Sequence, residues 1–443
     1  MPSIEIKEKD LTTPGEISTD TEFVFIPGFS INDTTSFPGK NVPTPCHSLK
    51  EFQLYFGENP AEVDVIVEGE DEVATKTTCL DKSHIYASRL LEAGLGVLYM
   101  SINDPSKSDD EVSESRMYTA LAGDMFDGTG DVVLSDLGEY SFKYLTSGGY
   151  PVFYTKYNSI GDDGAKSEPI ELENAVADKM ISLASDRGDC VALIDHPDSP
   201  DNSLTGSDSF YDKFTKLAGE LSYGAAFTPW INLTQTVTDG SGKVTVEPVS
   251  MPPSFAYLLA LATSIQTNPS WLAVAGASRG QIPGLYSDKP LNINKVLTNS
   301  IAEGTYQKRD KVSINAITNI KPFGYRIWGN RTLKDNTIQG ELTATSFLNI
   351  RNMISDVKKV VYNACKRYTF EQDTDVLWIN FKAAIEPTLN KMKTGAGLAG
   401  YKIVRNTADK KAQLSATIKL FPLYAVEDFE IEVQMLDEEV TVS

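Results

Sequence analysis

Gly276-Ala277-Ser278-Arg279-Gly280 has the spacing of a nucleophile elbow, in which a sharp strand-to-helix turn exposes a serine hydroxyl. Its surroundings argue against that role. The apolar run ahead of it reads as a strand, but Gln281-Ile282-Pro283-Gly284 is poor sequence for opening a helix. The elbow enzymes place a histidine after the serine, whereas His47, His84 and His196 all precede Ser278. An Asp–His–Ser order stays open, though no spacing singles out its members.

Asp195-His196-Pro197-Asp198 follows the strand-like run Cys190-Val191-Ala192-Leu193-Ile194, and α/β folds build sites at such strand ends. Carboxylates and an imidazole are metal-ligand types. One histidine with two close aspartates does not define a ligand set, and a polar loop with a capping aspartate has the same composition. Gly395, Gly397 and Gly400 match the dinucleotide fingerprint letter for letter. That motif must follow a strand and open a helix, so that helix amides meet a pyrophosphate. Here a helical pattern precedes the glycines and residues 401–404 read as a strand, the context of a helix-terminating turn. No phosphate loop and no His-Glu-x-x-His pair occurs. No catalytic, cofactor-binding or metal-ligating residue is assigned. The enzyme alternative is an α/β hydrolase on Ser278 or a metal-dependent enzyme on Asp195 and His196.

Charge narrows the classes further. The chain has 40 Lys and Arg against 61 Asp and Glu, a net charge of −21. A nucleic-acid binder should show a basic face, so no direct nucleic-acid partner is expected. No run approaches the roughly 20 apolar residues that span a bilayer, so no membrane partner is expected either. The first residues lack a basic start and an apolar core, and no leader is expected. Cys46, Cys79, Cys190 and Cys365 lie far apart without a Cys-x-x-Cys pair and read as reduced, mostly buried thiols.

The elements that would carry these residues alternate. Residues 1–20 are polar, with one alternating stretch at Ile4 and Ile6. From Thr21 the pattern is globular, with helices near Ser48–Gly57 and Ser83–Ala93 and a strand at 96–100. Residues 105–135 read as a polar surface insertion. Apolar strands then alternate with amphipathic helices, which calls for a mainly parallel sheet with helices on its faces. The helix from Pro252-Pro253-Ser254 to about Ile265 is apolar on most sides and should be buried between other elements.

Farther on, Phe323–Trp328 reads as a strand that breaks at Gly329-Asn330. Thr345 or Ser346 is the expected cap of a long helix. That helix carries Phe347, Ile350, Ile354, Val357, Val361 and Ala364 on one stripe. Its opposite face carries Arg351, Asp356, Lys358, Lys359 and Lys366. A helix, a glycine turn and a strand follow over 381–404, then a strand over 414–426 interrupted at Pro422. Finally Phe429, Ile431, Val433 and Met435 alternate with Glu430, Glu432 and Gln434. Residues 345–411 hold twelve basic and six acidic residues, while 427–439 hold seven acidic and no basic ones. An acidic, alternating tail fits a strand docking on a basic unit, its own or a neighbour's.

Trp328-Gly329-Asn330-Arg331-Thr332-Leu333, followed by Ser346-Phe347-Leu348-Asn349-Ile350-Arg351 opening a helix, resembles the C-terminal part of contractile tail sheath proteins of tailed bacteriophages and related injection systems. Asn330 stands where that family has a small residue. Ser48, Phe52 and Phe56-Gly57, Pro229-Trp230 and Pro252-Pro253-Ser254 match in the same order. The resemblance implies a multi-domain α/β chain. Its parts would be an extended arm (1–20), a small α+β region (21–104), a central α/β domain (105–335), an α+β sheath domain (336–426) and a strand arm (427–443). It implies a structural subunit that is not an enzyme, polymerising as a helical tube in the virion tail and assembled in the host cytoplasm. The implied partners are other copies, an inner tube protein, and baseplate and tail terminator proteins. On this basis the arm residues would be Ile4, Ile6, Phe429, Ile431, Val433 and Met435. The receiving residues would be Phe347, Ile350, Arg351, Ile354, Val357, Lys358 and Val361.

Overall fold

The computed structural model describes residues 23–30, 36–39, 41–60, 62–68, 74–102, 134–135, 137, 139–150, 152, 156–157, 169–170, 175–196, 214–238, 244–283, 292–293, 312–334, 342–407 and 413–427. In chain order the strands are β1 (Val24–Gly28), β2 (Thr44–Cys46), β3 (Glu62–Glu68), β4 (Ala74–Leu80), β5 (Val97–Ser101) and β6 (Tyr144–Leu145). They continue as β7 (Lys156–Tyr157), β8 (Pro169–Ile170), β9 (Val191–Ile194), β10 (Gly224–Thr228), β11 (Ile231–Thr238) and β12 (Val244–Met251). The last are β13 (Asn292–Ile293), β14 (Asn315–Ile320), β15 (Gly324–Trp328), β16 (Leu398–Asn406) and β17 (Ser415–Pro422). The principal helices are α1 (Leu49–Phe56), α2 (Lys82–Glu92), α3 (Ala175–Arg187), α4 (Pro253–Ile265), α5 (Leu348–Tyr368) and α6 (Asp375–Thr394).

Eight strands form the main sheet in the order β15-β14-β10-β9-β6-β1-β5-β2. The six from β14 to β5 run parallel, and antiparallel β15 and β2 close the two ends. β1, β2 and β5 come from residues before 104 and the other five from later, so segments 21–104 and 105–335 share one sheet. Alternation along the strands fills both faces. Val24 and Ile26 point into one core with Tyr99, Tyr144 and Phe227. Phe23 and Phe25 point into the other with Leu98, Met100 and Leu145. α1, α2 and α4 cover the first face and α3 covers the second. α4 is buried on nearly every side, as its composition requires.

The C-terminal unit has its own core. α5 and α6 pack together over the antiparallel ribbon β16–β17. Ser48 caps α1, accepting from the Glu51 amide, and Thr374 caps α6, accepting from the Leu377 amide at 3.2 Å. The start of α5 differs from the Thr345 or Ser346 cap expected from sequence. Thr343 and Ser346 form a reciprocal capping box on the 3-10 turn Ala344–Ser346, and Phe347 then precedes α5 without a side-chain cap. The polar box sits one turn early because Phe347 is drawn into the core.

Candidate functional site

The three motifs with chemical residue types do not converge. Gly276–Arg279 is itself one short helical turn, and no strand leads into it, contrary to the sequence reading. Ser278 is exposed on that turn. His196 Nε2 lies 3.0 Å from Thr228 Oγ1, and His84 donates from Nε2 to the Gly57 carbonyl at 3.0 Å, so each of these rings is engaged elsewhere.

Asp195 directly follows β9 and its carboxylate turns inward. It accepts from the Ser254 amide at 2.9 Å and from the Ser254 hydroxyl at 2.6 Å, capping the first turn of α4. Tyr86 Oη lies 2.8 Å from the same hydroxyl. Burial pushes the Asp195 acid up to about 7, against the opposing pull of the Ser254 bonds. A second buried carboxylate, Asp81 between β4 and α2, reaches the end of β1 at Ser30. Asp81 accepts from the Ser83 amide at 3.0 Å, from the Ser83 hydroxyl at 2.6 Å, and from the hydroxyls of Ser30 and Tyr150. Sequence reasoning missed Asp81, although an aspartate just before a helix is a recognisable cap signal. The carboxyl end of a parallel sheet is where open α/β folds place ligands. Here hydroxyl-bonded carboxylates of the chain itself occupy that end. Asp198 lies outside the described residues. Among the described residues no three His, Cys, Asp or Glu cluster as a metal would require, and no helix is long and apolar enough to cross a membrane.

The Gly395–Gly397 turn follows α6 and precedes β16, the reverse of the dinucleotide order. Its glycines serve a different contact. The Trp271 indole lies against the turn and donates from Nε1 to the Gly395 carbonyl at 2.9 Å. A Cβ on Gly397 would stand 2.5 Å from the Trp271 ring.

α5 uses both of its faces. Its apolar stripe packs on Phe381, Ile385, Leu389 and Met392 of α6 and on Ile403, Ile418 and Leu420 of the ribbon. Its charged face is docked on the main sheet and its connections. Asp356 pairs with Lys143 at 3.1 Å, both buried. Lys359 donates to the Phe142 carbonyl at 2.7 Å, and Asn352 donates to Tyr144 Oη at 2.9 Å. The Arg351 guanidinium lies 4.0 Å from the Tyr223 ring centroid and donates to the Ser222 carbonyl at 3.2 Å. Burial lowers the pKa of both Arg351 and Lys359.

Of the receiving residues named from sequence, Phe347, Ile350, Arg351 and Val357 are buried, and Ile354 and Val361 are half-buried. Lys358 is exposed, with Nζ 2.8 Å from Tyr223 Oη. A cavity of about 620 Å³ brings Ile354, Val357, Lys358 and Val361 together with Ala416, Ile418 and Leu420 of β17. Arg187 and Asp189 border it. Phe347, Ile350 and Arg351 do not line it. Among the described strands β16 and β17 pair only with each other, so each leaves one edge open. Past β17 the exposed Leu423, Tyr424 and Val426 lead to Glu427, whose carboxylate the Arg331 guanidinium grips. Ile4, Ile6, Phe429, Ile431, Val433 and Met435 lie outside the described residues.

The mixed α/β fold with its large parallel-rich sheet matches that of solved sheath subunits. Over 99% of this chain and 98% of the other, it is similar to the PVC sheath of an extracellular contractile injection system in its contracted state, 14% identical with a TM-score of 0.60. Over 98% of both chains it is similar to the contracted helical sheath of the anti-feeding prophage, 15% identical with a TM-score of 0.56. A chain of the anti-feeding prophage baseplate is similar over 98% of this chain and 99% of that one, 14% identical with a TM-score of 0.57. In sequence the chain is similar to the tail sheath protein of Vibrio phage KVP40, 24% identical over 271 residues. That match covers 57% of this chain and 37% of the phage protein, so it spans little more than a third of that relative. No protein-family model matches the chain.

Proposed function

We propose that the chain is a structural subunit of a contractile sheath, polymerising as a helical tube around an inner tube and contracting to drive that tube through an envelope. The observation that carries this reading is the open ribbon β16–β17 beside the cavity on α5, in a fold shared with sheath subunits along nearly the whole chain. An added strand would gain main-chain hydrogen bonds from an open edge and place alternate side chains in the cavity. Ile4 and Ile6 at one end, and Phe429, Ile431, Val433 and Met435 at the other, have the alternation such a strand needs. Their acceptors are the ribbon and the Ile354, Val357, Lys358 and Val361 face of another copy. Head-to-tail contacts that do not close give open helical assemblies. Contraction is then passage between two packings of one sequence, with strand links holding the copies together.

The partners that follow are other copies of the chain, an inner tube protein, and baseplate and terminator components, in a particle assembled in the host cytoplasm. The subunit acts mechanically, and no enzymatic step is assigned to Ser278, Asp195 or His196. Electron microscopy of the purified chain tests the reading. Regular tubes of constant diameter are the expected result. Monodisperse single chains under every assembly condition that polymerises other sheaths would overturn it.

A further inference from the structure

β17 ends at Pro422, and the next five residues follow a defined course. The Leu423 amide donates to the Gly397 carbonyl at 3.0 Å, which carries the chain past the glycine turn. The Tyr424 ring stands edge-on to Phe347, with centroids 5.2 Å apart. Arg331 Nε then lies 3.1 Å from each carboxylate oxygen of Glu427, and Nη2 donates to Oε2 as well. The same guanidinium covers the Phe347 ring at 4.8 Å.

Apolar burial does not account for this course, because Leu423, Tyr424 and Val426 are exposed. The ion pair does. Its side chains are 9% and 14% exposed, so solvent and salt screen it less than a surface pair. The arginine is pre-positioned. The Arg331 amide donates to Asn315 Oδ1 at 2.8 Å, and Asn315 Nδ2 donates to the Arg331 carbonyl at 2.9 Å. Asn315 is the first residue of β14, so the clamp is tied to the main sheet rather than to the ribbon.

We propose that the Arg331–Glu427 pair is a departure clamp for residues 428–443, which makes strand exchange intermolecular. This rests on the strand-exchange reading above. A tail lying on its own β17 would need a reversal of about two to five residues after Pro422. Residues 423–427 are instead spent reaching Arg331. Glu427 is thereby held beside the first residue of β14, and on this proposal the segment beyond it pairs with the edge of a second copy. Arg331 and Glu427 are positioning residues, acting through the segment they aim.

The test uses the full chain with Cys365→Ser, Thr417→Cys on β17 and Glu432→Cys on the tail, treated with a short bis-maleimide. Links between copies are expected, and Glu427→Ala or Glu427→Gln should convert them to links within one chain. In the chain without the two added cysteines, the same Glu427 variants should raise the critical concentration for tubes by about tenfold with thermal unfolding unchanged. Unchanged copy-to-copy linking and an unchanged critical concentration would overturn the clamp. Deleting residues 428–443 separates the two ideas. If that truncation polymerises normally, strand exchange itself fails. If it stays a folded monomer while the Glu427 variants polymerise normally, only the clamp fails.

Discussion

The main sheet and the C-terminal ribbon solve the edge problem in opposite ways. The sheet ends in antiparallel strands, fills both faces with buried side chains and satisfies Asp81 and Asp195 with its own hydroxyls. Among the described residues the ribbon has two strands, half-buried residues along its packed face, an unpaired edge on each strand and a cavity beside it. An isolated two-stranded ribbon is marginal, and a long exposed edge invites pairing with other chains. One region is filled by its own side chains, and the other is the one that the proposed strand exchange would complete. α5 joins them, with its apolar stripe on the ribbon side and its charged face on the sheet side.

Side-chain truncation in the two cores should separate them most strongly. Phe227 is fully buried and stacks on Tyr257 with centroids 4.5 Å apart. Phe227→Ala should cost about 3–5 kcal/mol in the isolated chain, read from the denaturant midpoint. Ile418 is half-buried at the cavity, and Ile418→Ala should cost only about 1 kcal/mol there. The same variant should greatly weaken tube formation. Equal costs in the isolated chain would mean that the ribbon is already complete and the contrast is wrong.

The junction between the regions comes next. Lys143→Met removes the ammonium 3.1 Å from the buried Asp356 carboxylate, at a cost of about 3 kcal/mol. Because the pair ties α5 to the sheet, hydrogen exchange should rise along α5 before it rises in β1 or β9. Uniform loss of protection would mean that the two regions unfold as one.

Asp195 tests how well the sheet end is sealed. Its folded acid sits near 7 rather than at the ordinary 3.8 because burial disfavours the charge. The folded chain thus holds this proton more tightly than the unfolded one. The resulting stability is fully present below about pH 4 and is lost as pH rises toward 7. Asp195→Asn still offers an acceptor to the Ser254 amide and removes this titration. The stability of the parent relative to the variant should fall by roughly 2 kcal/mol from pH 4 to 7, discounted for relaxation around the buried acid. A flat difference would mean that water reaches the carboxylate.

The same contrast governs what sequence reveals. The apolar stripe of α5 was legible because a 3.6-residue period records a buried face directly. The helix–turn–strand context of Gly395–Gly400 likewise sufficed to reject a dinucleotide loop. The docking of Arg351, Asp356 and Lys359 on the main sheet was not legible. A charged helix face has the same pattern in solvent as against hydrogen-bonding partners. Those partners, Lys143, Phe142 and Ser222, lie more than a hundred residues away in sequence. The Asp81 network was hidden for the same reason, since Ser30 and Tyr150 meet it only through the parallel strand order. The acidic tail and its alternation were visible, but the grip of Arg331 on Glu427 spans 96 positions.

Two of the three sequence motifs that resemble enzyme sites supply the smallest effects. Gly397→Ala pushes a methyl group into the Trp271 ring, and that ring must shift because the turn is held to α6 by the Gly395 and Gly397 amides, which donate to the Lys391 and Met392 carbonyls. The expected cost is about 1 kcal/mol, accompanied by a change in tryptophan fluorescence. Ser278→Ala removes an exposed hydroxyl from a four-residue helical turn, so stability should move by less than about 0.5 kcal/mol. Its worth lies in pairing it with Gly397→Ala. If the glycine motif is a packing device and Ser278 a surface residue, the first variant perturbs Trp271 and the second changes neither unfolding nor tube formation. Loss of an esterase activity on Ser278→Ala would reverse that assignment.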